Sequence, residues 1–214
     1  MQPSDWVLLI DPAGRAGTYN METDEALLDR VQRSGGAFLR LYRWDPATLS
    51  IGRNQRMDAE PFPVVRRPTG GKAVWHEHEV TYAVAAPIAL FGSLRNAYCE
   101  IHARLAQALR SMGVDAVLAS ARRPIGPSAT PPSCFALPVG GEILVDGRKL
   151  VGSAQVRRGD AFLQHGSILL AEGSRSSWFA GATTLATVLR RPVSFEEVAD
   201  AVQIAWEIAS PAAR

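Results

Sequence analysis

Residues 66–86 read RRPTGGKAVWHEHEVTYAVAA. A glycine pair set between cationic residues and a β-prone run predicts a bend followed by strands. Gly70 and Gly71 let the chain turn tightly with its amides uncovered, while Arg66, Arg67 and Lys72 surround the bend with positive charge. Such a bend suits an anionic group or a polarised carbonyl. It is not a nucleotide-phosphate loop, because GxxxxGK[ST] is absent and a bare GGK is a weak signal. His76 and His78 bracket Glu77 without the four-residue helical spacing of a zinc pair, and no cysteine cluster accompanies them, so no metal is expected. AVWH, containing Ala73 and Val74, opens one strand, and TYAVAAP reads as the next.

Working outward, the N-terminal WVLLID predicts a short strand ended by Asp11-Pro12. Asn20 or Thr23 is then expected to cap a helix running to about Ser34, with Gly35-Gly36 stopping it. FLRLYRW, TLSIG and PVVRRP follow as strands. The clearest helix spans 93–112, where Leu94, Tyr98, Ile101, Leu105, Ala108 and Met112 recur every three or four residues and Gly113 terminates the run. Residues 122–138 change to a proline-rich composition and predict a long irregular loop of the kind that carries function. A β-meander comes next: EILV and RKLVGSAQV joined at Asp146-Gly147, then AFLQHGSILL after Gly159-Asp160. On its middle strand Lys149, Val151, Ser153 and Gln155 share one face and Leu150, Gly152, Ala154 and Val156 the other. The small residues there weaken packing unless something must approach the backbone closely. Ser194, with Glu197 three residues on, predicts a capped C-terminal helix.

The 214 residues, 47% of them hydrophobic, suffice for one sizeable core, and a single domain over 1–214 is expected. Lys plus Arg number 23 and Asp plus Glu 21, and the resulting net charge of +2 argues against a nucleic-acid or membrane binder. Four arginine pairs, Arg66/Arg67, Arg122/Arg123, Arg157/Arg158 and Arg190/Arg191, border Pro or Gly; they read as turn residues that could also flank an acidic partner. Two cysteines, no signal-peptide pattern and no membrane-length apolar run point to the reducing cytoplasm, and a monomer is expected.

Among residues able to do chemistry, Cys99 sits beside a helical core stripe, whereas Cys134 stands in the irregular loop, within PPSCFALP. A free thiol is only about 3% thiolate at pH 7, so a nucleophilic Cys134 needs a nearby cation or aimed N–H donors. Lys149 is the nearest strong candidate in sequence. Read alone, it is either an exposed hairpin lysine or an ammonium that polarises a carbonyl and stabilises an oxyanion.

Three segments in order carry a family likeness. RRPTGGKAVWHEHEVTYAV resembles the RR-x-[ST]-GG-x-A-V-x-H segment of the lipoate–protein ligase and octanoyltransferase superfamily, related in fold to biotin protein ligases. NMETDEALLDRV…LRLYRWDPATLSIGRNQ and GRKLVGSAQVRRGDAFLQHGSILL agree with it. The resemblance implies an α+β domain with a mixed or antiparallel central sheet flanked by helices plus a smaller sheet. It implies an acyl tunnel walled by Arg66, Arg67, Thr69, Gly70, Gly71, Ala73, Val74 and His76 from the first segment. Gly152, Ser153, Ala154 and His165 of the last would complete it, with Lys149 on the acyl carbonyl.

CF before a short strand and GRK-x-x-GSAQ is similar to the cysteine-dependent octanoyltransferases of the Gram-positive type. That similarity implies that Cys134 accepts an octanoyl group from acyl carrier protein and passes it to the lysine of a lipoyl domain, either a glycine-cleavage H protein or a dehydrogenase E2, without a cofactor. The alternatives are an ATP- and Mg-dependent lipoate–protein ligase acting through lipoyl-AMP, and a non-catalytic acyl-binding module.

Overall fold

The computed structural model describes residues 6–57, 60–119 and 141–207. The predicted loop at 122–138, with Cys134 and the Arg122/Arg123 pair, lies outside them. The chain forms strands β1 (Trp6–Arg15), β2 (Ala37–Trp44), β3 (Thr48–Ile51), β4 (Val64–Arg66), β5 (Val74–His76), β6 (Glu79–Pro87), β7 (Val117–Leu118), β8 (Ile143–Val145), β9 (Arg148–Arg158) and β10 (Ala161–Leu169). Its helices are α1 (Gly17–Ser34), α2 (Leu94–Ser111), α3 (Leu185–Leu189) and α4 (Phe195–Ala205). Among the described residues, seven strands make one sheet in the order β1-β2-β6-β10-β9-β8-β7, and three make a second, β4-β3-β5. The large sheet is antiparallel except where α1 crosses over to set β2 parallel to β1. This is the α+β architecture expected, with its large mixed sheet and smaller companion.

The pattern of burial explains the layers. The central strand β6 is buried along all but its last residue, since helices cover both its faces. Tyr82, Val84, Phe162 and Ile168 join α2 and α4 on one face. Phe38, Tyr42, Ala83, Ala85 and Leu163 pack with α1 on the other. Each large apolar side chain removed from water contributes roughly 1.5–3 kcal/mol. Leu49, Ile51, Ala73 and Trp75 form a separate small core within the second sheet.

The helix signals held where side chains cap. Ser93 and Ser194 each accept the backbone N–H three residues on, at 3.1 Å, from Asn96 and Glu197. The Glu197 carboxylate pairs with Arg191. α1 differs from expectation: it starts at Gly17 with no side-chain cap, because Asn20 turns inward to donate to the Arg15 and Arg43 carbonyls. Thr23 donates to the Tyr19 carbonyl within the helix. β1 also outruns its predicted stop at Asp11-Pro12, reaching Arg15 through an irregularity between Asp11 and Gly14. It is the edge strand of the sheet, where a proline without an N–H is tolerated.

Candidate functional site

The double-glycine bend is built by its own arginine. Buried Arg67 donates to the Gly70 carbonyl (Nε 3.2 Å, Nη2 2.8 Å), to the Lys72 carbonyl at 2.6 Å, and to both the carbonyl and Oγ of Ser50 at 3.1 Å. Arg66 points the other way and gathers the Gly52, Arg53 and Gln55 carbonyls. β3 comes so near the bend that a Cβ at Gly52 would lie 2.1 Å from the Gly71 carbonyl oxygen, so residue 52 has to be glycine. The charge around the bend is therefore largely internal scaffolding. In the other described arginine pairs, Arg158 binds Asp29 and Glu25 and Arg191 binds Glu197 in ion pairs at the surface.

Behind the bend lies a pocket of about 420 Å³, a volume that includes space open to solvent. Its walls come from α1 and β2 (Met21, Tyr42, Trp44), the small sheet (Ser50, Val74, His76), β9 (Gly152, Ser153, Ala154) and β10 (His165, Gly166, Ser167). Much of this lining is polar by residue type, yet the surface it shows is almost all carbon. The polar atoms are turned outward and bonded to one another. Arg67 can only donate, so Ser50 Oγ accepts from it and gives its own proton to His76 Nε2 at 2.7 Å. His76 Nδ1 in turn donates to Glu79 Oε1 at 2.7 Å, and Ser167 and Thr81 donate to the same oxygen. The Trp44 indole stacks on His76 at 3.9 Å, closing the ring over with carbon. Glu79 Oε2 is buried with no hydrogen-bond partner among the described residues.

His165 is held the same way. Its Nδ1 donates to Asp24 Oδ2 at 2.9 Å, and its Nε2 accepts from Thr69 at 2.8 Å. Asp24, fully buried, also takes Arg40 Nη1 at 2.9 Å and Tyr42 OH at 2.8 Å. Burial, and next the adjacent Asp24 carboxylate, push the Tyr42 phenol well above its ordinary range, so it remains a donor.

On the opposite face of β9 a second polar cluster meets α2. Gln155 Nε2 faces the Leu94 carbonyl, which fixes its amide orientation. Gln164 must then present its oxygen to Gln155 and its nitrogen to Tyr82 OH at 3.0 Å. Tyr82 is left to donate to Ser153 Oγ at 2.6 Å, and Ser153 to donate to His102 Nε2 at 2.8 Å. Burial pushes His102 down to about 4, with the Lys149 charge adding to the effect, so the ring is neutral and can accept. Gly166 makes room for Ser153, because a Cβ there would lie 2.4 Å from its Oγ. Lys149 itself is only 2% exposed, and its Nζ lies 2.7 Å from Glu142 Oε2. The exposed-hairpin reading is thus wrong: the residue begins a strand whose face is covered.

The pocket brings together Arg67, Val74, His76, Gly152, Ser153, Ala154 and His165. Thr69 reaches it through His165, and Gly70 and Gly71 through Arg67. Ala73 packs in the small core and Arg66 faces the Gly52 turn, so neither lines the pocket. Lys149 lies beside the cluster, not among the lining residues. Cys134 lies outside the described residues. Met21, Asp24, Tyr42, Trp44, Glu79 and Glu142 were not singled out from the sequence.

A model of the lipoyl protein ligase A/B catalytic domain matches residues 16–207. The chain belongs to this family. Octanoyltransferase LipM of Carboxydothermus hydrogenoformans is 40% identical over 174 residues, covering 75% of this chain and 64% of its own. Octanoyltransferase LipM of Kyrpidia tusciae is 42% identical over 185 residues, covering 77% and 66%. The chain thus spans just under two thirds of the length of these curated relatives. A solved lipoate-protein ligase A bound with ATP superposes with a TM-score of 0.74 at 20% identity, over 97% of this chain and 87% of that one, a likeness of fold. The ligase A/B catalytic match takes in the double-glycine bend, β9 and β10. No described helix is long and apolar enough to cross a membrane.

Proposed function

We propose that the protein is an octanoyltransferase of protein lipoylation, moving an octanoyl group from acyl carrier protein to the lysine of a lipoyl domain in the cytoplasm. The observation that carries this is the pocket: its polar lining is bonded outward, so that it offers an alkyl chain a carbon surface. The likeness to octanoyltransferase LipM over three quarters of the chain supports the same reading. Arg67, Thr69, His76 and His165 shape that surface, and Gly152 and Ala154 let the chain lie against β9.

Cys134 is the nucleophile in this scheme. Its thiolate attacks the octanoyl thioester, a new C–S bond forms, and the carrier's thiolate leaves. The acceptor lysine amine then attacks the enzyme thioester, forming the amide, releasing a proton and returning the Cys134 thiolate. Lys149 stabilises the oxyanion of both steps, and no cofactor takes part.

Intact-protein mass after incubation with octanoyl carrier protein tests this. An octanoyl increment that disappears in Cys134→Ala is expected. An increment that survives the substitution, or lipoyl transfer from free lipoate and ATP by that variant, overturns it. A bound fatty acid with no transfer would leave an acyl-binding module.

A further inference from the structure

Lys149 and Glu142 form an ion pair at 2.7 Å with each side chain about 1% exposed. Glu142 immediately precedes β8. Ala119 N donates to the Glu142 carbonyl at 2.7 Å and Gly141 N to the Ala119 carbonyl at 2.8 Å. The Glu142 carboxylate therefore ties this backbone pairing to β9 through Lys149. An ammonium this deeply buried is favoured in its charged form only if a counter-charge accompanies it. Other titratable or charged groups stand near the pair. His102 on α2 is neutral and feels the Lys149 charge as a penalty on its own protonation. Tyr82 on β6 is held as a phenol, chiefly by burial, with the Glu142 charge adding to it. Arg148, next on β9, donates to the Ala182 carbonyl.

We propose that Glu142 is a positioning residue of acyl transfer, whose buried carboxylate keeps Lys149 a charged ammonium fixed in place at the start of β9. Nothing in the sequence marked it: it reads as the first residue of the predicted strand EILV. The inference rests on the octanoyltransferase reading for its kinetic consequence, but not for the charge state it assigns to Lys149.

Two measurements separate those dependences. The first needs no substrate: the Lys149 side chain is followed by NMR through its 13Cε signal across pH. In Glu142→Gln it is expected to lose its proton at lower pH than in the native protein, because the desolvated ammonium has lost its counter-charge. An unchanged titration overturns the proposal, whatever reaction the protein catalyses.

The second is octanoyl transfer. Removing one charge-stabilising group costs about 100-fold or more, which sets the Lys149→Ala loss, and Glu142→Gln is expected to lose about tenfold or more. The Glu142→Gln rate should recover as pH is lowered, and Glu142→Asp should restore part of it. In a Lys149→Ala background Glu142→Gln is expected to add no further loss, because the carboxylate acts through the lysine. A parallel pH profile with only lowered thermal stability, or a full additive loss in the double variant, overturns the proposal. If the native protein transfers no octanoyl group while the NMR shift appears, the function and the positioning role fall, and only the charge state assigned to Lys149 stands.

Discussion

The two faces of β9 and β10 treat polar residues in opposite ways. On the α1 face, Asp24, His165, Thr69, Glu79, His76, Ser50 and Arg67 bond to each other and turn carbon toward the pocket. On the α2 face, the buried groups are the Lys149–Glu142 pair and a one-way hydrogen-bond chain that ends on neutral His102. The first arrangement makes a shape, and the second holds charge in place. Substitutions on the α1 face should therefore act through stability and acyl-chain binding, and those on the α2 face through rate and pH.

The strongest way to break this division is Asp24→Ala. Asp24 is the counter-charge for Arg40, which is 2% exposed, and the acceptor for Tyr42 and His165. Removing one partner of a buried pair costs about 3–5 kcal/mol. Urea unfolding should show a loss of that size, with the activity of the remaining folded fraction falling mainly in KM. A loss below about 1 kcal/mol would mean that the α1 face is not a scaffold.

His102 gives the next largest effect and tests the other face. Its ordinary value of 6.5 in the unfolded chain falls to about 4 in the fold, so the unfolded state binds more protons in the interval between. Stability from this group is complete above about 6.5 and is lost as pH falls toward 4, by about 3 kcal/mol in all. Thermal unfolding between those limits should show the decline in the native protein and a shallower one in His102→Gln. Equal slopes would mean that the ring is already hydrated or charged.

How much of this could be read in advance follows from distance along the chain. The double-glycine bend and the GRK-x-x-GSA strand are local, and their strands lie where composition and periodicity put them. The pocket's outer layer is not local: Asp24 meets His165 across 141 positions and Trp44 meets Thr81 across 37. A helical aspartate or a strand tyrosine gives no sign of such a partner, so Asp24, Tyr42 and Glu79 looked ordinary. The misplaced cap of α1 has the same origin, since the partner that turns Asn20 inward, the Arg43 carbonyl, is 23 positions away. Lys149 read alone as an exposed hairpin residue or as an ammonium at a carbonyl, and its burial came only with the strands and helix that cover it.

Thr69→Val offers the smallest and sharpest test of the comparison. Thr69 is fully buried, and its hydroxyl gives its proton to His165 Nε2. Valine keeps the shape and removes the donor, leaving a buried ring nitrogen unpaired at a cost of about 1–3 kcal/mol. Arg67 still holds Gly70, Lys72 and Ser50, so the bend should keep its course. The expected result is a modest fall in unfolding free energy with an unchanged maximal octanoyl-transfer rate and pH profile. If the maximal rate falls with no change in stability, the α1 face would carry a proton or bind the reacting group, and the separation of a shaping face from a charged one would fail.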